Sequence, residues 1–451
     1  MEEFTDIAIV GASAAGLSAA LTIKRNNPSM NVTLFRKVSK TPVPCGIPYI
    51  YGTLKDVEKD IIPDSHFIPL GISFKIAEVN EIDKNNNVII YNENKRLKYG
   101  NLLIATGSLP FIPPIEGIEL ENVYAIDKNP KNLSNIEKKL ANADNIVVIG
   151  GGFIGVEMSE QIAKLKDSNS MITVVEMLPH CLMSAIEEEF CIEAEKELRS
   201  LNINILTKSQ VIKLEGDKKV KKVILSNNEW IKADIVIIGV GAAPNVELAE
   251  KSGIPYDKRG GILVNKYMMT NFKNIYAAGD CVQKFSFITG KPSGIRLASV
   301  AAYEGIIAAN NILGNNLENK GAVGAFSTKI GNMALASAGL TRQACEREGI
   351  EYVAGEFEGP DKHPSTLPNT FKNMKAILIF RKDNGKIIGG HIKGGDSVGE
   401  MINIVSTAIQ AGLTAADLYA MQVATHPLLT GSPIAHHINR AAGDAYFKMR
   451  K

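Results

Sequence analysis

The stretch Thr41–Tyr49 (TPVPCGIPY) carries the residue best suited to redox chemistry, the cysteine Cys45. Prolines stiffen the backbone on both sides of the thiol, and Gly46 beside it permits the close approach of a neighbouring group. A thiol fixed on a tight turn can exchange with disulfides, but a cysteine in a proline-rich loop can also be a buried structural residue. The rest of the chain has to decide between these two interpretations.

Composition narrows the class of protein that holds this cysteine. A chain of 451 residues is long enough for about three domains. Its 50 basic and 48 acidic residues argue against a nucleic-acid or membrane-surface partner. The five cysteines are scattered, which excludes a local dithiol or zinc ribbon and fits a reducing compartment. The acidic N-terminus is no signal peptide and no apolar run reaches the roughly 20 residues of a membrane span, so we expect a soluble cytoplasmic protein.

A glycine turn precedes the cysteine. Ile7–Val10 is an apolar strand, Gly11–Gly16 is the turn, and Leu17–Lys24 has the small residues of a tightly packed helix. This order lays a pyrophosphate on a helix N-terminus. The middle glycine of the motif is Ser13, and Arg36 stands where a ribose-binding acid is expected about 20 residues later. Arg36 could pair with a phosphate, stack on adenine or be a solvated loop charge.

A second glycine turn, in Asn145–Glu157, is more complete. It has all three glycines of the dinucleotide motif, Gly150, Gly152 and Gly155, between an apolar strand and a helix. Glu176 lies 21 residues after the last glycine, at the end of the next predicted strand. This acid suits the free hydroxyls of NAD and would repel the 2′-phosphate of NADP. Two such units predict two dinucleotides, most simply FAD and a nicotinamide dinucleotide.

Two further strands end at turns that belong to sites of this kind. Asp234–Asn245 leads to a tight loop at Gly241, and Asn274–Cys281 ends in Gly279 and Asp280. An acid at the carboxyl end of a parallel strand lies in the ligand crevice of the sheet. We therefore expect Asp280 to bind a ribitol hydroxyl; the alternative is a helix N-cap.

Beyond about residue 325 no glycine motif recurs, and predicted strands alternate with helices. We predict an α/β fold with two Rossmann-like domains and a C-terminal α+β dimerisation domain. The predicted FAD-binding domain is discontinuous and covers residues 1–114 and 246–325; the NAD-binding domain covers 115–245 and the dimerisation domain 326–451. Among the shorter elements we predict helices over 54–60, 298–312 and 342–348.

The order of these motifs resembles the flavin-dependent pyridine nucleotide–disulfide oxidoreductases over essentially the whole chain. The matching segments are Gly11–Gly16, Ala105–Gly107, Gly150–Glu157 and Tyr276–Asp280. Cys45–Tyr49 resembles the single-cysteine branch, which contains coenzyme A disulfide or persulfide reductases, NADH oxidases and NADH peroxidases. The resemblance implies a homodimer whose interface domains complete the active sites, with FAD and NAD(H) as cofactors and a small thiol, disulfide or sulfur compound as substrate.

The resemblance also implies roles for individual residues. Cys45 and His426 are the implied catalytic residues, with His426 acting from the partner subunit as general acid to the leaving thiol. Phe153 would gate the nicotinamide, and Glu157 would contact its amide or only cap a helix. The expected cofactor-binding residues are Gly11, Ser13, Ala14, Ala15, Gly16, Arg36, Ala105, Thr106, Gly107, Gly279 and Asp280, together with Gly150, Gly152, Phe153, Ile154, Gly155, Glu157, Glu176 and Gly241.

Departures from the pattern leave the electron acceptor open. Ala14 stands where peroxidases and many oxidases carry histidine, which weakens a peroxide-reducing function. His426–Pro427 resembles the two-cysteine branch, yet its usual partner acid is replaced by Gly431. We expect a reductase of disulfides, persulfides or polysulfides that works through Cys45. The alternatives are an NADH oxidase that reduces oxygen at the flavin and an electron-transfer flavoprotein subunit.

Overall fold

Two glycine turns and the sheets behind them organise the chain in the computed structural model, which describes residues 3–166 and 170–451. The chain forms two compact units, each made of segments distant in sequence. The first unit runs to Pro113 and adds Ala125–Ala141 and Val240–Ala322; the second consists of Pro114–Tyr124, Asn142–Gly239 and Val323–Lys451.

The first unit is built on a seven-stranded sheet with a parallel centre. Its strand Glu3–Val10 pairs in parallel with Val32–Arg36 on one side and with Lys95–Ile104 on the other. Every residue of Val32–Arg36 is buried, as expected for a strand with both faces covered. The helix Ala14–Asn26 follows the glycine turn and packs against the helix Ala298–Ile312. The first glycine turn is thereby fixed between a buried sheet and a helix pair.

The other elements of the first unit are short and frame this sheet. Its strands are Thr41–Pro42, Ile61–Ile62, Ile72–Ile76, Val79–Asp83, Val88–Tyr91, Ser108–Pro110, Ala242–Pro244, Tyr256–Asp257, Gly261–Ile262, Ile275–Ala277, Lys284–Phe285 and Pro292–Ser293. Its helices are Pro130–Ala141 and Glu247–Lys251, with single turns at Ile50–Leu54, Val57–Asp60, Asp64–His66 and Ile68–Leu70.

The second unit contains a five-stranded sheet behind the second glycine turn and a five-stranded antiparallel sheet in its C-terminal part. The strand Asn145–Ile149 pairs in parallel with Met171–Val175 and Ile235–Ile238. The C-terminal sheet begins with Ala325–Ile330, which pairs antiparallel with Met333–Gly339. Helices cover both sheets.

The remaining elements of the second unit complete these sheets. Its other strands are Val123–Ala125, Ile203–Leu206, Val211–Glu215, Lys222–Leu225, Trp230–Lys232, Tyr352–Gly359, Met374–Arg381 and Ile387–Gly394. Its helices are Phe153–Leu165, Glu188–Ser200, Arg342–Glu348, Val398–Ala411, Ala415–Tyr419 and His437–Lys448, with a single turn at Pro433–Ala435.

The predicted fold class is confirmed, and the helices over 298–312 and 342–348 have the predicted limits. The predicted helix over 54–60 is wrong. Lys55 has a left-handed backbone (φ 54°), and Asp56 is extended and accepts a hydrogen bond from the Glu58 amide, so the helical path is interrupted between two separate turns. Within residues 3–166 and 170–451, no helix has the length and apolarity needed to cross a membrane. The same residues contain no group of three His, Cys, Asp or Glu side chains that could hold a metal ion.

Candidate functional site

Cys45 lies on a tight turn at the surface of the first unit. The turn begins after the strand Thr41–Pro42 and is closed by a hydrogen bond from the Gly46 amide to the Val43 carbonyl (2.9 Å). The Val43 amide in turn donates to the Asp60 carbonyl (2.7 Å), which ties the turn to the end of the helical turn Val57–Asp60. Cys45 itself is exposed. A small molecule in solution can therefore reach Cys45.

A buried carboxyl group that no sequence motif marks lies directly beneath this turn. A Cβ on Gly46 would collide with Oδ1 of Asp60, so the carboxyl group packs against the Gly46 backbone. Asp60 is only 4% exposed, and its Oδ2 has no hydrogen-bond partner among the described residues. Burial raises the pKa of the Asp60 carboxyl to about 6. A titratable carboxyl group thus packs against Gly46, the residue next to the predicted redox cysteine.

The other four cysteines have a different environment. Cys181, Cys191, Cys281 and Cys345 are all buried. Burial raises the pKa of the Cys181 thiol to about 12 and that of Cys345 to about 11, and it also raises the pKa of Cys191 and Cys281. Such thiols remain protonated and unreactive near neutral pH.

The first glycine turn brings several predicted residues together. Gly11 has φ +124°, and a Cβ there would collide with the carbonyl oxygen of Ala105, so only glycine fits. Ala15 touches the position that a Cβ on Gly279 would occupy (2.9 Å). Ser13 is the N-cap of the helix that starts at Ala14, and its side chain makes no capping hydrogen bond. The helix N-terminus, with its unpaired N–H groups, therefore fits the phosphates of FAD.

The neighbouring loops belong to the same unit. Thr106 Oγ1 donates to the carbonyl of Asn245 (2.8 Å), and the amide of Asn245 donates to the carbonyl of Gly107 (2.9 Å). Gly241 has φ +105°, and its carbonyl accepts the amide of Phe111 (3.0 Å). The loops after the strands of this unit are thus fixed to one another.

Asp280 provides a second test of whether FAD fits. Its Oδ2 accepts from Ser108 Oγ (2.9 Å), while its Oδ1 is buried without a partner among the described residues. Residues 279–281 form a turn, and the next helix starts only at Ala298, so Asp280 is not a helix N-cap. A buried carboxylate oxygen with a free lone pair matches a polyol hydroxyl, which is what the ribitol of FAD offers.

A buried ion pair holds this turn in place. Lys284 and Glu304 are 3% and 2% exposed and lie 2.7 Å apart. Glu304 Oε2 also accepts the Gly279 amide (2.9 Å), and Lys284 Nζ donates to the Gly279 carbonyl (2.8 Å). Both polar groups of Gly279 are thereby fixed beside Asp280. Sequence reasoning missed this pair because no motif marks it.

Arg36 is buried rather than solvated, so a loop charge in water is excluded. Its guanidinium makes two hydrogen bonds to the Asp64 carboxylate (2.7 and 2.5 Å) and lies 4.8 Å from the centroid of the Phe74 ring. A carboxylate therefore does lie at the end of the strand Val32–Arg36. It belongs to Asp64, 28 residues later in the sequence, and is already paired with Arg36. Its contact with a cofactor stays a prediction.

The second glycine turn has the predicted neighbours. Gly150 donates to the carbonyl of Val175 (2.8 Å), and Gly152 caps the helix that starts at Phe153. Glu176 is buried; its Oε2 accepts from the Gly151 amide (2.5 Å) and its Oε1 from the Leu178 amide (2.7 Å). Glu176 is thus fixed against the glycine turn.

Phe153 and Glu157 lie one turn apart on the helix that follows. The Phe153 ring stacks on that of Phe326 (centroids 5.1 Å apart, planes at 2°). Glu157 Oε1 accepts from Thr328 Oγ1 (2.8 Å), and burial raises the pKa of Glu157 to about 7. Glu157 therefore does not cap its own helix. Phe326 and Thr328 were missed because they come from a strand more than 170 residues later.

His426 lies in the second unit on an exposed turn. Its amide donates to Thr430 Oγ1 (3.0 Å), and its Nδ1 accepts from the Leu428 amide (3.3 Å). The neutral ring therefore carries its proton on Nε2. Ile154, the remaining predicted residue at the second glycine turn, is 37% exposed.

Comparisons with known proteins agree with this architecture. Residues 5–305 match the family described as pyridine nucleotide-disulphide oxidoreductase, and residues 326–434 match its dimerisation domain. The NAD(P)H coenzyme A polysulfide/persulfide reductase of Pyrococcus horikoshii is 30% identical, with 93% of this chain and 94% of that protein covered. The NADH oxidase of Methanocaldococcus jannaschii is 31% identical, with 98% of each chain covered.

A solved structure is similar to this chain over almost its whole length. The NAD-dependent persulfide reductase from A. fulgidus has a TM-score of 0.90 at 30% identity, covering 99% of this chain and 84% of that one. The family and the cofactors that the sequence predicted are therefore confirmed. The chain belongs to the pyridine nucleotide–disulphide oxidoreductase family, whose enzymes use FAD and NAD(P)H.

Proposed function

We propose that this enzyme is an NADH-dependent reductase in which Cys45 reacts directly with a disulfide, persulfide or polysulfide substrate. The observation that carries the proposal is the contrast among the cysteines. Cys45 is exposed on a turn, whereas the other four are buried and their thiols are held protonated. The names of two relatives, a polysulfide/persulfide reductase and a persulfide reductase, support a sulfur substrate.

The chemistry on Cys45 balances as follows. Its thiolate attacks a substrate disulfide, forms a mixed disulfide and releases one substrate thiolate, which takes up a proton. Two electrons and one proton then split the mixed disulfide into the Cys45 thiolate and a second substrate thiol. Bound FAD supplies the capacity to accept a hydride from NADH and to return the electron pair to sulfur. Overall, one NADH and one proton convert one disulfide into two thiols.

The protein's part is to hold these reactants. In our proposal the N–H groups of Gly11–Gly16 bind the FAD phosphates and Asp280 Oδ1 accepts a ribitol hydroxyl. Gly150–Gly155 bind the pyrophosphate of NADH, and Glu176 accepts hydroxyls of its adenosine ribose. Glu157 accepts a hydrogen bond from the amide N–H of the nicotinamide, and Phe153 gates the nicotinamide.

His426 is the proposed general acid. Its Nε2 carries the proton in the neutral tautomer and lies on an exposed turn, which suits proton delivery to a leaving thiolate. We further propose a homodimer in which His426 serves the Cys45 of the partner subunit. The match of residues 326–434 to a dimerisation domain supports this arrangement. The division into an FAD domain, an NAD domain and a dimerisation domain remains our proposal.

The test is a substrate panel with NADH on the wild type and on Cys45→Ser. The panel contains coenzyme A disulfide, polysulfide, glutathione disulfide and oxygen. We expect one sulfur substrate to be turned over by the wild type, with a loss of at least about 1,000-fold in Cys45→Ser, because serine cannot form the mixed disulfide. Cys345→Ser is the matched control and should retain activity, since that thiol is buried.

The second candidate is an NADH oxidase, which the M. jannaschii relative favours by name. In that case oxygen-dependent NADH consumption would exceed turnover of every sulfur compound. Full oxygen turnover by Cys45→Ser would then sink the thiol mechanism.

A further inference from the structure

The strand Ala325–Ile330 opens the C-terminal domain and lies on the helix Phe153–Leu165 of the second glycine unit. Side chains two apart on a strand share one face, and side chains four apart on a helix lie one turn apart. Two contacts use this match: the Phe326 ring stacks on Phe153 at 5.1 Å, and Thr328 Oγ1 donates to Glu157 at 2.8 Å. The two elements are therefore joined in register.

Thr328 controls the state of the Glu157 carboxylate. Burial raises the pKa of this group to about 7, and the hydrogen bond from Thr328 opposes that rise. The other charged groups that face it lie on the same helix: Glu160 raises the pKa of Glu157, and Lys164 pairs with Glu160 at 2.9 Å. Lys329, the next residue on the strand, points to the other face and pairs with Asp396. The strand thus offers Glu157 a neutral donor rather than a cation.

We infer that Thr328 is a positioning residue for the nicotinamide end of NADH and acts through Glu157. The inference rests on the proposed function, in which Glu157 accepts the nicotinamide amide. A carboxylate has two oxygens with several lone pairs, so a bond from Thr328 to Oε1 orients the group and leaves it able to accept the amide N–H. The C-terminal domain would then contribute to hydride transfer from within its own subunit.

The test compares two ligands that differ only by the nicotinamide ring. Binding of NAD⁺ and of ADP-ribose to the oxidised holoenzyme is measured by isothermal titration calorimetry between about pH 6 and 9. We expect Thr328→Val to raise the Kd of NAD⁺ about 3–10-fold near neutral pH, the worth of one ordinary hydrogen bond, and to leave the Kd of ADP-ribose unchanged. Removing the Thr328 hydroxyl raises the pKa of Glu157, so less of the carboxylate form remains at low pH. The loss of NAD⁺ affinity should therefore grow as pH falls and shrink at the alkaline end. Thr328→Ser should restore wild-type binding.

Two controls separate this role from a structural one. In a Glu157→Gln background, Thr328→Val should add nothing to the loss of NAD⁺ affinity. Lys329→Ala changes the next residue of the same strand, which faces the other side and pairs with Asp396, so it should leave the Kd of both NAD⁺ and ADP-ribose unchanged.

The outcomes distinguish the inference from the function on which it rests. Equal weakening of both ligands by Thr328→Val, or no weakening of either, would overturn the role of Thr328 while NADH binding to this unit stands. If the wild type binds neither ligand, or binds both unchanged after Glu176→Ala, the assignment of NADH to this unit fails and the inference fails with it.

Discussion

Replacing Asp60 by asparagine tests the environment beneath the Cys45 turn. The carboxyl group is 4% exposed, packs against the Gly46 backbone and has one oxygen without a partner among the described residues. Asparagine keeps the shape and removes the charge. The substitution therefore isolates the cost of ionising this buried group.

The size of that cost follows from the pKa. Folding raises the pKa of Asp60 from 3.8 to about 6. At about 1.4 kcal/mol per pKa unit, the ionised carboxylate destabilises the folded state by about 3 kcal/mol. The folded protein binds more protons than the unfolded chain between these two values. Stability from this group is therefore fully present below about pH 4 and is lost as pH rises through about 6.

The measurement is the unfolding temperature of wild type and Asp60→Asn by calorimetry between about pH 4.5 and 7.5. About 2 of the roughly 3 kcal/mol falls between pH 4.5 and 7.5, because the unfolded chain already begins to ionise near pH 4. We therefore expect the wild type to lose about 4–8 °C relative to the variant across this range, for a cooperative unit of about 200 residues. The buried amide of asparagine costs about 1–3 kcal/mol at every pH. The readout is therefore how the difference in unfolding temperature between the two proteins changes with pH, and not which of them is more stable. Asp56→Asn, which changes a less buried acid four residues away, should follow the wild-type slope. Parallel profiles for wild type and Asp60→Asn would refute the reasoning.

Three further predictions follow from single contacts. Glu304→Gln leaves the buried Lys284 charge uncompensated, so calorimetry should show a loss of about 3–5 kcal/mol, and less if Lys284→Met is added. Gly11→Ala places a Cβ on a backbone oxygen at φ +124°, so the purified protein should lose FAD, seen as a fall in flavin absorbance per chain. In the wild type, kcat/KM should be higher for NADH than for NADPH, and Glu176→Gln should lower the ratio of these two values about 10-fold. A wild type that prefers NADPH would contradict the role given to Glu176.

The sequence predicted what is encoded locally. Each glycine turn is a strand, a turn and a helix within about 20 residues, so spacing alone identifies it. Cys45 stood out because prolines surround it. Asp60 and Thr328 could not be found in this way, because strand pairing and domain packing bring them to Cys45 and Glu157 from positions that carry no motif. Arg36 shows the same limit, since it ends a strand and its partner Asp64 lies on a separate turn 28 residues later.

The distribution of unpaired polar atoms separates the two dinucleotides. Proteins rarely bury a polar side-chain atom without a partner, so such atoms indicate where a bound group completes the structure. Of ten in the described residues, seven lie in the first unit, including Asp280 Oδ1, and none lies in the second glycine unit over 142–166 and 170–239. There, Glu176 is already satisfied by two backbone amides. A unit that is incomplete on its own suits a resident cofactor, and a unit that is complete on its own suits a ligand that must leave after each turnover. The first unit is therefore the one expected to lose most stability when FAD is removed, while removal of NADH should lower the stability of the second unit much less.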